Sequence, residues 1–322
     1  MSWSGRTSTT SPSTRWPVRR SRATVSTRPS RRSRPTLPAS HRFDAIGTRW
    51  QIDTVDPLPA DLVEQIAARV EAFDRTYSRF RDDSLVSAIA RTPGSYPFPD
   101  DAAELFELYR RLYEATDAAV SPLVGRTLET MGYDRGYSLR ALEHRAPVPR
   151  WEDSIAWSDG TLTALRPLVL DVGAAGKGYL VDIVGRLLRA AGVDEFVVDA
   201  SGDIVHAGAD PIRVALEHPL DPTKAVGVVE LANGSLCASA SNRRAWGDGL
   251  HHIIDATTGL PADRVIATWA MAKTGLEADG LATALFLAEP ARLAQTFDFD
   301  FVRVFATGRI ERSTHLNGEL FV

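Results

Sequence analysis

The sequence predicts an α+β fold, one two-lobed domain of mixed sheets flanked by helices, on three observations. Stretches with helical spacing are mixed with short β-rich runs, without the regular strand and helix alternation of a doubly wound sheet. No internal repeat points to a solenoid. After the first forty residues about 280 remain, enough for one large core of this kind.

Taken in chain order, residues 1–40 are rich in Ser, Thr, Arg and Pro and lack an apolar block, so a disordered tail is expected there and a folded domain over residues 41–322. Leu62, Ile66, Val70, Phe73 and Tyr77 recur at helical spacing and predict a helix over Leu62–Phe80, with Asp61 as its cap. Ala102–Ala115 predicts a second helix with one apolar face. Leu168–Val172 reads as a short buried strand ending in a glycine loop, followed by a helix from near Tyr179 to Ala191. The runs EFVVDA, VGVVEL, SLCASA, VIATWAMA and FVRVFA, near Val197, Val228, Cys237, Ile266 and Val304, read as strands. The segment carrying Asp279 and Thr283 reads as helix.

Charge narrows the function classes. The chain has a net charge of −4, but residues 1–40 hold nine Arg and no acid, so the remaining 28 basic residues face 41 acidic ones, a net of −13. A body that acidic argues against nucleic acid as partner and suits a cation-assisted site. Arg19–Arg20 and Arg31–Arg32 are not followed by the apolar region of a twin-arginine signal. The one cysteine, Cys237, allows no disulfide framework, and no apolar run is long enough for a membrane span, so a cytoplasmic protein is expected.

Three segments suggest chemistry. In PLVLDVGAAGKGYLVDIVGRLL, Gly173, Gly176 and Gly178 surround Lys177 between a predicted strand and a predicted helix, a place where backbone approaches an anion. The order of glycines matches neither the Walker A loop nor the dinucleotide fingerprint. Lys177 reads either as a point charge for a pyrophosphate or as a solvated lysine at a helix start, where the dipole disfavours it. Asp171 reads as a ligand contact or as the cap of the glycine loop. Asp279 and Thr283, four residues apart, project from one helix face and could hold a hard cation such as Mg²⁺, or serve as ordinary polar positions. His252, between His251 and Ile253, reads as a core histidine or as a site residue; His251 is expected to be exposed.

Together with IGTRW (Ile46–Trp50), FDRTYSRFRDDSLVSAI (Phe73–Ile89) and VSPLV (Val120–Val124), the loop at Lys177, HHIIDATTGLP (His251–Pro261) and EADGLATALFL (Glu277–Leu287) resemble, in order, the ApbE family of flavin transferases. The resemblance runs from about Arg42 to about Gly318. It implies a T-fold-related domain that takes FAD, moves its FMN half onto a Thr or Ser hydroxyl of an acceptor protein and releases AMP. It also implies Mg²⁺ on the Ala174 carbonyl, Asp279 and Thr283, and catalytic roles for Lys177, His252 and Asp279, with His252 and Asp279 both open as the base. FAD contacts are implied at Ile46, Ser121, Tyr133, Asp171, Lys177, Ser239, Arg243, His252 and Ile253. The acceptor implied is a protein with an FMN-binding domain that carries a flavinylation Thr/Ser motif.

The chain departs from the family pattern in places. Ala240 replaces a glycine, which puts the local loop shape in question; Ala90 replaces a frequent asparagine; Ile46 replaces methionine; and the stretch around Tyr133 lacks a tryptophan. Two other readings stay open: a Mg²⁺-dependent FAD pyrophosphatase giving FMN and AMP, and a non-catalytic FAD-binding protein.

Overall fold

The computed structural model describes residues 37–247 and 249–321. The tail expected over residues 1–40 therefore lies, up to residue 36, outside the described residues. The first strand begins at Ala39.

Eight strands form one sheet in the order Ala39–Ala45, Thr48–Thr54, Phe196–Asp199, Asp203–Ala207, Gly234–Ala240, Val265–Ala272, Asp300–Phe305 and Ile310–Arg312, each antiparallel to its neighbour. Both faces of the sheet are covered, which is why its central strands read as nearly continuous apolar runs. Side chains alternate between two cores. Val205, Cys237, Ala270 and Phe301 point into the larger core, whereas Ile204, Leu236, Trp269 and Val302 point into the second.

The larger core is closed by helices. These are α1 (Ala60–Tyr77), α2 (Leu85–Arg91), α3 (Ala102–Ala115), α4 (Gly125–Thr130), α5 (Gly176–Ala190), α6 (Gly275–Ala284) and α7 (Pro290–Leu293). Of these α1, α3, α5 and α6 supply nearly half of its buried apolar side chains, while α4 instead sends Leu128 into a separate cluster with Met131, Tyr133, Trp246 and Ile254. The second core is closed by a three-stranded sheet ordered Gly318–Leu320, Asp221–Leu231, Ile212–His218, which contributes Leu216, Val226, Val229 and Leu231. The two cores on opposite faces of one sheet are the two lobes that the sequence predicts.

Four expectations need correction. Leu168–Val172 is extended but joins no sheet; Asp171 N–H donates instead to the Pro122 carbonyl at 2.8 Å. Its apolar residues are buried against helices rather than in a ladder, a distinction that a short apolar run does not make. The helix after it starts at Gly176, three residues early, because its first turn is held from outside by another helix. The long helix starts at Ala60 after Pro59 and ends at Tyr77 rather than Phe80; Asp61 lies inside the first turn, where its charge suits the dipole, and makes no cap hydrogen bond. His251 is buried, as described below.

Candidate active site

A cavity of about 1370 Å³ opens between the helical layer, the large sheet and the outer edge of the strand Ile212–His218. Ile46, Ser121, Tyr133, Asp171, Ala174, Lys177, Ser239, Arg243, His252, Ile253, Asp279 and Thr283 all line it. The site residues inferred from sequence thus converge on one space, although they are spread over more than 230 positions of chain.

The centre of this wall is built by two helix starts that meet. Asp279 on α6 is buried, and its Oδ2 accepts the Gly178 N–H of α5 at 2.8 Å. Asp182 on α5 accepts the Gly275 and Leu276 N–H groups of α6 at 2.7 and 2.8 Å. Each helix therefore supplies a carboxylate for donors that the other leaves unpaired. Gly178 and Gly275 stand against each other so closely that a Cβ on either would meet the other's carbonyl. Gly178 is thus required by helix packing rather than by approach to a phosphate.

Asp279 also carries an electrostatic load. Burial, and then the Asp203 carboxylate, push its pKa well above the ordinary carboxylate range, with Lys177 acting the other way. Thr283, one turn along, puts its hydroxyl 3.4 Å from the Ala174 carbonyl oxygen. Carboxylate, hydroxyl and carbonyl are hard oxygen donors, and crowded buried negative charge is what a divalent cation relieves, so these residues fit Mg²⁺. Among the described residues no three His, Cys, Asp or Glu side chains group as a metal site; the donor set here contains one carboxylate.

Lys177 sits in the first turn of α5 with Nζ 3.0 Å from the Ala200 carbonyl and 2.6 Å from Asp203 Oδ2. Burial works to lower its pKa, but Asp203 and Asp279 outweigh burial and raise it, so the ammonium stays charged. Asp171 takes the capping role and also stands on the cavity lining. Its Oδ1 accepts the Gly173 N–H of the glycine loop at 2.8 Å. Its Oδ2 accepts from Arg79 Nε at 2.6 Å; burial opposes ionisation, yet the Arg79 charge and hydrogen bond bring the pKa below the usual value.

Arg79 is itself 4 % exposed, donates from Nη1 to the Tyr133 carbonyl at 2.8 Å and lies over the Phe80 ring at 4.2 Å. Around it Tyr133 stacks on Trp246 with centroids 5.5 Å apart, and Phe80 stacks on Tyr137 at 5.1 Å. Phe80, Tyr133, Tyr137 and Trp246 thus form one aromatic cluster in the cavity lining. Ser121 caps a short 3₁₀ turn by accepting the Leu123 N–H, Ser239 ends a central strand at the cavity, and Arg243 pairs with Glu217 at 2.8 Å on its rim.

His252 faces the cavity with a buried Nδ1 that has no hydrogen-bond partner among the described residues. Burial first, then the charges of Arg244 and His251, lower its pKa to about 3, so the imidazole is neutral. His251 is 7 % exposed, contrary to expectation. Its Nδ1 accepts the Ile253 N–H at 3.2 Å and its Nε2 contacts the Ala262 carbonyl at 2.7 Å, so it braces the loop. Asp255 likewise caps the Thr257 turn and does not line the cavity. Ala240 has φ −147°, extended backbone that any residue adopts, so its methyl group does not distort the loop. Ala90, on α2, lies outside the cavity lining.

Sequence reasoning missed Arg79, Phe80, Asp182, Asp203, Arg244 and Trp246. Arg79 and Phe80 lie inside the conspicuous segment FDRTYSRFRDDS, but its helical pattern explains them as scaffold.

Comparison with known proteins gives the family and the fold. Residues 46–302 match the ApbE family. A Klebsiella pneumoniae FAD:protein FMN transferase is 25% identical over 279 residues, covering 78% of each chain, and one from Treponema pallidum is 29% identical over 276 residues, covering 75% of this chain and 76% of its own. The flavin transferase ApbE of Vibrio cholerae superposes with a TM-score of 0.71 at 22% identity, over 85% of this chain and 96% of its own. The ApbE protein of Thermotoga maritima does so with 0.73 at 23%, with the same coverage. The protein described here belongs to the ApbE family.

Proposed function

We propose that the chain is a Mg²⁺-dependent FAD:protein FMN transferase, which moves FMN from FAD onto a Thr or Ser hydroxyl of an acceptor protein carrying an FMN-binding domain. The observation that carries this reading is the meeting of Asp279, Thr283, the Ala174 carbonyl, Lys177 and His252 on one cavity wall.

The acceptor oxygen bonds to the FMN phosphorus as the bond from that phosphorus to the AMP phosphate oxygen breaks, and AMP leaves. Positioning and charge stabilisation do most of the work in such a transfer, so the enzyme needs no nucleophile of its own. Lys177 places one positive charge where the pyrophosphate would lie. Mg²⁺ held by Asp279, Thr283 and the Ala174 carbonyl would neutralise charge gathering on the leaving phosphate. His252, being neutral, and Asp279, whose proton affinity burial raises, are the two groups available to take the hydroxyl proton.

The test is to incubate the protein with FAD, Mg²⁺ and an acceptor domain, then weigh the acceptor intact, with Asp279→Ala and Thr283→Val alongside. An added FMN mass, equimolar AMP and loss of both in the variants are expected. AMP and free FMN with an unmodified acceptor would establish the pyrophosphatase, and bound but unreacted FAD the binding protein.

A further inference from the structure

Behind the cavity wall, at the start of the strand Asp203–Ala207, the Asp203 side chain is fully buried and does not line the cavity. Among the described residues Oδ1 has no hydrogen-bond partner, and the one cation against the carboxylate is Lys177, whose Nζ lies 2.6 Å from Oδ2. A carboxylate in that setting is costly, because its desolvation is returned only by a partner held in good geometry. Buried ion pairs of this kind add little stability over apolar residues of similar size. The pair therefore calls for another explanation.

Lys177 supplies one. It sits at the positive end of α5, where the dipole repels an ammonium, on a side chain with four rotatable bonds. Nothing in α5 itself would hold Nζ at a fixed point. Asp203 from one strand and the Ala200 carbonyl from the preceding turn do so, leaving 21 % of the side chain exposed.

We propose that Asp203 is the positioning residue for Lys177, fixing its ammonium so that the pyrophosphate of FAD meets a pre-aimed charge. The proposal rests on the reading that Lys177 contacts that pyrophosphate. Asp203 itself touches no substrate.

A double-mutant cycle in FAD affinity, measured by titration calorimetry with Mg²⁺ and no acceptor, tests it. Asp203→Asn is expected to weaken FAD binding roughly tenfold or more. Lys177→Met should weaken it at least as much, and adding Asp203→Asn to Lys177→Met should change affinity no further. Asp203→Glu keeps the charge but moves it by one methylene; it should keep the melting temperature and still bind FAD weakly, and it decides the matter if Asp203→Asn does not fold. An Asp203 effect equal in both backgrounds, or tight binding by Asp203→Glu, would overturn the positioning role while leaving Lys177 a ligand contact. Unchanged affinity in Lys177→Met would overturn the contact itself, and the proposal with it.

Discussion

Asp182 and Asp279 are reciprocal caps: each sits on one of two adjoining helices and takes backbone N–H groups from the start of the other. The arrangement locks the α5 and α6 starts together at the floor of the cavity, and the remaining structure of the site hangs from it.

Burial raises the Asp182 pKa to about 6, against the lowering effect of its two backbone donors. The folded state thus holds a proton that the unfolded chain, titrating near 3.9, has released. The resulting stabilisation is full below the unfolded value and is lost as pH rises toward 6, by about 3 kcal/mol in total. Denaturant unfolding of the protein and of Asp182→Asn between pH 4 and 7 should give a difference that shrinks across this window. A pH-independent difference would refute the assignment.

Two glycines of the same helix should respond in opposite ways. At Gly178 a methyl group meets the Gly275 carbonyl, backbone that cannot step aside, so Gly178→Ala is expected to cost about 3 kcal/mol or more. At Gly185 the added carbon lies 3.5 Å from Phe196 and Val205, an ordinary contact, so Gly185→Ala should be neutral or gain about 0.5–1 kcal/mol from helix propensity. Thermal melts of the two variants decide it.

Arg79 and Asp171 form a buried ion pair at 2.6 Å. Removing the cation alone strands the carboxylate, so Arg79→Met should destabilise by about 3–5 kcal/mol, and Arg79→Met with Asp171→Leu should recover most of it. If the double variant is as unstable as the single one, the pair is not the source of the loss.

Ile46 has φ +43° in the two-residue turn between the first two strands, a conformation unfavourable for a β-branched residue, and its side chain lines the cavity. Ile46→Gly is expected to raise stability by about 1 kcal/mol while weakening FAD binding. A gain in melting temperature without a loss in FAD affinity would show that the strained side chain serves no ligand.

What was legible in the sequence follows from the range of each interaction. Ala102–Ala115 and the five strands near Val197, Val228, Cys237, Ile266 and Val304 were readable because periodicity and strand-forming runs are local properties. The candidate site residues were picked out through their motifs, and all twelve line one cavity. The start of α5 was not, since its Gly178 N–H donates to Asp279, 101 residues away. Asp203 and Arg79 escaped for the same reason: an acid opening a strand and an arginine just past a helix end carry no local sign of the partners that bury them. His251 and His252 were assigned by neighbouring residue type, and their burial is decided by the Ala262 carbonyl and the cavity instead.

The clasp between α5 and α6 also bears on how the chain can change over time. Gly178, Asp182, Gly275 and Asp279 lie in two stretches about a hundred residues apart, yet a larger side chain at one glycine or a neutral one at either acid disturbs the same junction. Two stretches that look separate in the sequence are then one mechanical part. Drift in either stretch is bound to drift in the other, so a transplanted lysine loop would need its distant acidic counterpart to come with it.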